Sequence, residues 1–304
     1  MSEDKYEKCF HVSRSAKVNV STICGSVEIL SSEDGAVKVT AVKDIHSGDG
    51  KRTEIEISQE ADGTVRVATH FPEGGWNWLF GSRPCNVDYT VKAPHECSLK
   101  VNSISSTMCA KGLEGACDVK SVSGDIALHD LKGAIHIHTI SGEIDGENIA
   151  GPLDLETISG DITLKESSLS SINARTVSGT LHVQTQLTDG PYHFKSISGD
   201  VHLTLPPATR CTAELHTVSG DLIAAFPVQG YSHAHGIQTI NVQGGGVNLS
   251  LKSVSGNLLL DSDGEIPPVP AVTGPANAED RRKVLAAIER GKLTIEEGLT
   301  KLKS

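Results

Sequence analysis

Between residues 121 and 258 the chain repeats one six-residue phrase: Ser or Thr, Val or Ile, Ser, Gly, a polar residue, then Ile, Val or Leu. It stands at Ser121–Ile126, Thr139–Ile144, Thr157–Ile162, Thr176–Leu181, Ser196–Val201, Thr217–Leu222 and Ser253–Leu258. Its glycines (Gly124, Gly142, Gly160, Gly179, Gly199, Gly220 and Gly256) are 18, 18, 19, 20, 21 and 36 residues apart. Self-similarity at a fixed period is the signature of a repeat fold. The last step is twice 18, which predicts a rung that has lost its signature. Ser103–Met108 reads as a degenerate first copy with Ser106 in the glycine slot, and Thr22–Val27 as a fainter echo. Gly115, Gly124, Gly133, Gly142, Gly151 and Gly160 are nine apart, so each rung has two halves, each a strand and a turn.

Alignment on the glycine gives alternating columns. Seven and five residues before it lie apolar residues such as Ile135 and Ile137. Two and four residues after it lie others such as Ile162 and Leu164. Period two is that of a half-buried strand. The columns six and four residues before the glycine are polar, from Asp118 and Lys120 to Ser250 and Lys252, and predict a solvated face. Glycine allows positive φ where the chain reverses, and the preceding serine can bond the turn backbone. The fold class that follows is all-β: a β-solenoid, β-helix- or β-roll-like, of about 18 residues per rung. Aromatic residues make up only 4%, too few to fill an ordinary core of 304 residues but sufficient for a narrow slot filled by Val, Ile and Leu.

Residues 1–100 read as an irregular N-terminal β cap continuous with the solenoid, and 101–260 as the repeats. In the cap Val18–Val20, Val27–Leu30, Val37–Val42, Thr53–Ser58, Thr64–Thr69, Val87–Val91 and Ser98–Val101 alternate, with Asp49-Gly50 and Asp62-Gly63 as hairpin turns. Residues 261–278 form a Pro-rich linker with Pro267, Pro268, Pro270 and Pro275. Residues 279–304 then change period. Val284, Leu285 and Ile288 lie at helical spacing before Gly291, and Thr294 opens a capping box ahead of Ile295, Leu299 and Leu302. This short α-hairpin is too small to stand alone and is expected to dock on a protein partner or on a copy of itself.

The net charge of −11 argues against nucleic acid, which needs clustered Lys and Arg. The seven cysteines include no Cys-x-x-Cys pair, so free thiols in a reducing compartment are expected, and no zinc site. The N-terminus lacks the apolar core of a signal peptide and no run approaches a membrane span, so the expected location is the cytoplasm, with envelope association as the alternative.

The Ser-Gly-Asp-Ile phrase, preceded by Val87-Asp-Tyr-Thr-Val-Lys-Ala-Pro94, resembles the bacterial β-strand-repeat "putative adhesin" family, a domain of unknown function, over residues 15–260. The tail from Val284 to Leu299 is similar to the short SHOCT-like helical hairpins often joined to that family. Some relatives with both parts are linked to cell-envelope stress, often with the hairpin at the N-terminus rather than the C-terminus. The family brings no established catalytic residues, and no cofactor is expected.

Three candidate sites remain. The column after the glycine carries Asp125, Glu143, Asp161, Asp200 and Asp221, and could hold cations or a cationic ligand; the plainer reading is carboxylates accepting backbone N–H bonds. The segment holding Trp76, Trp78 and Phe80 is either an exposed contact loop or a plug over the solenoid end. The pairs His136/His138 and His233/His235 read as solvated histidines rather than metal ligands. A carbohydrate-active β-helix needs a carboxylate pair that breaks the repeat, whereas these carboxylates follow it. The sequence therefore points to a non-enzymatic scaffold. The alternatives are an envelope-associated sensor of lipid or cationic peptide, and a carbohydrate-active enzyme.

Overall fold

Alternation of apolar and polar residues makes each short segment a strand with one face to bury, and the rungs bury that face against one another. The computed structural model describes residues 3–12, 15–72, 83–188, 190–234 and 236–264, and among these it is all β. One compact unit spans Met1–Glu265. Of the Pro-rich linker expected over 261–278, Asp261 and Ser262 belong instead to the last strand; its remainder from residue 265 and the α-hairpin expected over 279–304 lie outside the described residues, as does the Trp76–Phe80 segment.

The first strands are β1 (Glu3–His11), β2 (Ala16–Ser32), β3 (Ala36–Asp44), β4 (Glu54–Gln59), β5 (Val65–His70), β6 (Asn86–Pro94) and β7 (Cys97–Lys111). The regular repeats supply β8 (Cys117–Ser123), β9 (Ile126–Lys132), β10 (Ile135–Ser141), β11 (Ile144–Ser159), β12 (Ile162–Ser178), β13 (Leu181–Thr185), β14 (Tyr192–Lys195) and β15 (Val201–Leu205). The last are β16 (Cys211–His216), β17 (Leu222–Ala224), β18 (Val228–Ala234), β19 (Ile237–Val242), β20 (Val247–Lys252) and β21 (Leu258–Ser262).

Successive rungs pair in parallel and in register. Ile135 lies opposite Cys117 on one side and Leu153 on the other, and Ile144 lies between Ile126 and Ile162. The apolar columns are therefore the core: Ile126, Ile144, Ile162, Leu181, Val201 and Leu258 are buried, as are Ile135, Leu153, Ile172 and Tyr192. The half-rung after the glycine bends a second time, at Asp130, Asn148 and Glu166, whose φ values are 54°, 53° and 48°. Asn and Asp are the side chains that best tolerate this region, and Asn148 Nδ2 donates to Asp130 Oδ1 of the preceding rung at 2.8 Å. The bend turns Leu131 and Ile149 into the core beside Leu113 and Leu169.

Both ends of the stack depart from chain order. At the N-terminal end β2 is itself a rung. Its residues Val18 and Val27 face Leu99 and Met108 of β7 on one side, and Val65 of β5 and Tyr89 of β6 on the other. The rung built from β5 and β6 thus stacks outside the one that precedes it in sequence. At the C-terminal end the 36-residue step does not hide a worn rung, contrary to the sequence expectation. Residues 228–242 make an antiparallel hairpin, β18–β19, that pairs through β19 with β16. The chain then re-enters the stack: Leu249 sits between Tyr192 and Ala213, and Leu258 between Val201 and Leu222. The last rung in sequence is second from the end in space, and β2 at one end, like β20 and β21 at the other, is paired on both sides.

The turn at Asp62-Gly63 joins β4 to β5 as expected, with Asp62 Oδ1 accepting the Thr64 N–H at 3.0 Å. Asp49-Gly50 does not make a hairpin, because β3 pairs antiparallel with β1 and β6 rather than with β4. Edge strand β1 carries Asp4, Lys5, Glu7 and Lys8, charges that discourage pairing with another chain.

Candidate functional site

The corner at the repeated glycine is the most regular feature of the outer surface, and its hydrogen bonds explain the phrase. The first residue points inward. Ser121, Thr139 and Thr157 are buried, and each hydroxyl donates to the carbonyl two residues on, at 3.1, 3.2 and 3.2 Å. The serine before the glycine reaches the preceding rung: Ser123 Oγ donates to Ile104 O at 3.2 Å and Ser141 Oγ to Val122 O at 3.4 Å. The first hydroxyl of the phrase therefore closes the turn at five of the seven copies, Ser196 and Ser253 having no partner for theirs, and the serine expected to bond the turn instead ties rungs together at Ser123, Ser141 and Ser159.

The residue after the glycine forms a second inter-rung ladder. Asp125 Oδ1 accepts the Glu143 N–H at 3.0 Å, and Asp161 Oδ1 accepts the Thr180 N–H at 2.8 Å. Asp200 Oδ1 accepts from both the backbone N–H and Nδ2 of Asn257, at 2.8 and 3.0 Å, while Asn257 Oδ1 accepts the Asp221 N–H at 2.9 Å. An amide N–H held by an ionised acceptor makes a strong bond. The column so engages Asp125, Glu143, Asp161, Asp200 and Asp221 with neighbouring rungs, and Thr180 and Asn257 interrupt its charge. Each of Asp125, Asp161 and Asp200 keeps its second carboxylate oxygen free of any bond to the ladder. Among the described residues no three His, Cys, Asp or Glu side chains converge as a metal site.

Between this acidic column and the sheet face runs a ridge. The second residue of each phrase points outward, so Ile104, Val122, Ile140, Ile158, Val177, Ile197, Val254 and Val218 follow one another along the stack. They are 41 to 86% exposed. The backbone fixes this succession: Ser198 N–H donates to Val177 O, Ser255 N–H to Ile197 O and Ser219 N–H to Val254 O, at 2.9, 2.9 and 3.1 Å. Beyond the ridge, four residues before the glycine, lie Lys120, His138, Glu156, Arg175, Lys195, Lys252 and His216.

Other chemistry-bearing groups are dispersed. His136 and His138 are exposed, with Nδ1 3.8 Å from Asp154 Oδ2 and 3.4 Å from Glu156 Oε2 on the next rung. His233 is exposed on β18, and His235 lies outside the described residues. Burial pushes the thiols of Cys97, Cys117 and Cys211 up to about 12, which leaves them protonated and poor nucleophiles near neutral pH. A cleft of about 840 Å³ outside the opposite corner is lined by Gly190, Pro191, His193, Arg210, Gly246 and Asn248 among others, with no carboxylate in its described lining.

A family model, Toastrack DUF4097, matches residues 16–261, and these residues contain all the rungs and both out-of-order ends. The chain belongs to this family. The Toastrack match begins at the first residue of β2 and stops within β21, leaving residues 262–304 outside it. No curated protein matches the chain. Among solved structures, a "putative adhesin" from Bacteroides fragilis is 11% identical, with 84% of this chain and 97% of that chain covered and a TM-score of 0.49. Another from Parabacteroides distasonis is 10% identical, with 84% and 97% covered and a TM-score of 0.43. A "putative lipid binding protein" from the same species is 10% identical, with 86% and 95% covered and a TM-score of 0.31. At such identities the names of those proteins say nothing about what this Toastrack domain binds.

The sequence reading missed the ridge, although its signal was present. The second phrase position has the same parity as the polar columns four and six residues before the glycine, so it had to face outward with them. Its Val and Ile blend into the apolar character of the phrase. The acidic column is legible in the sequence; that it bonds the next rung rather than its own turn is not.

Proposed function

We propose that this Toastrack protein is a non-enzymatic binding scaffold whose working surface is the exposed ridge from Ile104 to Val218. One observation carries the reading. Eight β-branched apolar side chains are held outward in a continuous row, where threonine would suit a solvated strand equally well. A contiguous apolar strip rimmed by polar residues is the usual form of a macromolecular contact site. The carboxylates of the acidic column are spread one to a rung, with those of Asp125, Asp161 and Asp200 in structural hydrogen bonds, which supports binding over the paired acids of a glycosidase. In the same reading the segment holding Val284, Leu285, Ile288, Ile295, Leu299 and Leu302, expected from its sequence to be an α-hairpin, is a second contact element, for a protein partner.

The test is photo-crosslinking in the native host. A benzophenone amino acid replaces Ile158 in the full chain, and Lys165, exposed on the other half of the rung, serves as control. The reading predicts a discrete adduct from position 158 and none from 165. No adduct from 158, or equal labelling from both, would overturn it.

A further inference from the structure

We propose that the partner of the ridge is a second copy of this chain, packed side by side about a two-fold axis parallel to the stack. The proposal rests on the ridge being a contact surface and adds what covers it. It comes from the two columns that flank the ridge. On the side before the corner stand Lys120, His138, Glu156, Arg175, Lys195, Lys252 and His216. On the side after it stand Asp125, Glu143, Asp161, Thr180, Asp200, Asn257 and Asp221. One border is largely basic and the other largely acidic. Within a rung, the member of one border and the member of the other are five residues apart, and Lys120/Asp125, His138/Glu143, Lys195/Asp200 and His216/Asp221 repeat one order of basic residue, apolar residue and acid, whereas Arg175 and Lys252 stand opposite the neutral Thr180 and Asn257.

Such a strip is complementary to itself in only one of the two symmetric arrangements. A two-fold axis lying across the ridge would set basic border against basic border. An axis along the ridge sets the basic border of each copy against the acidic border of the other and keeps every rung opposite its own number. Lys120 then faces Asp125 of the second copy, His138 faces Glu143, Lys195 faces Asp200 and His216 faces Asp221, while Ile140, Ile158 and Val177 meet their own counterparts. This is the isologous contact of an ordinary dimer. The free second oxygen of the ladder carboxylates is what such a cation would meet. One rung opposes the arrangement: Glu156 would face Asp161, a like-charge pair.

The size of the contact is consistent with a reversible pair. The ridge spans seven steps of about 4.8 Å, or roughly 34 Å. With its borders it would cover on the order of 500 Å² per copy, at the low end of specific interfaces. Interfaces of that size are weak or transient rather than permanent, and a dissociation constant in the micromolar range is expected.

The experiment is sedimentation equilibrium of the full chain from about 1 to 200 µM, the span in which such a constant is read. The chain mass is 32.1 kDa, so the proposal predicts a shift from one chain to two across this range. Ile140→Glu with Ile158→Glu should leave the chain monomeric throughout, whereas Lys165→Glu, which changes the net charge by the same amount but lies off the ridge, should not. Glu156→Lys removes the one like-charge rung and should tighten the dimer several-fold. A monomer at 200 µM, or a dimer indifferent to the ridge pair, overturns the proposal. Loss of the dimer with the ridge pair but weakening by Glu156→Lys overturns the parallel arrangement. An adduct from position 158 that contains only another macromolecule leaves the binding-surface reading standing and this one fallen.

Discussion

Replacing Gly160 with alanine is expected to cost at least about 3 kcal/mol and to prevent folding of the central rungs at 37 °C. Two independent penalties coincide there. The residue sits at φ 125°, a conformation that side chains with a Cβ rarely adopt. An added Cβ would also overlap the carbonyl oxygen of Gly142 on the neighbouring rung, which is backbone and cannot swing away. Relief would require the two rungs to separate, and with them the core pairs Ile144–Ile162 and Leu155–Ala174. Gly35, whose added Cβ would meet nothing, is the control and should tolerate alanine with little change. Circular dichroism melts of the two variants decide it, and equal melting temperatures would show that the corner is not as close as described.

Ending the chain at residue 246 should destroy the C-terminal third of the domain, not merely its last rung. Leu249, Leu251, Leu258 and Leu260 are at most 1% exposed. Burying four such side chains contributes on the order of 6–12 kcal/mol before chain entropy is set against it. In a stack that follows chain order, removing the final rung strips one face of its neighbour. Here β20 and β21 separate β14 and β15 from β16 and β17, so their loss uncovers both. Hydrogen exchange should then find β17, whose pairing partner is β21, unprotected in the shortened chain and β16 held only by β19, while a chain ending at residue 264 keeps β17 protected. Protection of β17 in the shorter chain would mean that the rungs stack in sequence order.

What the sequence could and could not reveal follows from the same geometry. The rung period, the inward columns and the glycine corner are local properties of each strand, and the phrase displays them. Stacking order is not local. The leucines of β20 and β21 would fit against any rung, since every rung offers the same apolar columns, so nothing in the pattern tells the chain segment 247–262 to return between its two predecessors. The 36-residue step recorded that something intervened, but an antiparallel hairpin and a worn rung occupy similar lengths. Asp49-Gly50 misled for a related reason: a turn dipeptide fixes a reversal of the chain, not which strands pair afterwards. The candidate site divides likewise. The acidic residues were visible as a column, and the ridge beside them was hidden only because isoleucine and valine read as core until parity is applied.

If the second residue of each phrase faces solvent along the stack, the melting temperature of Ile158→Glu in the full chain, taken at a concentration low enough to keep it monomeric, should hardly change. An exposed position should shift stability by no more than about 0.5 kcal/mol, or about 2 °C for a domain of this size. A fall of 10 °C or more would mean that Ile158 is buried, and the ridge, with everything inferred from it, would be contradicted.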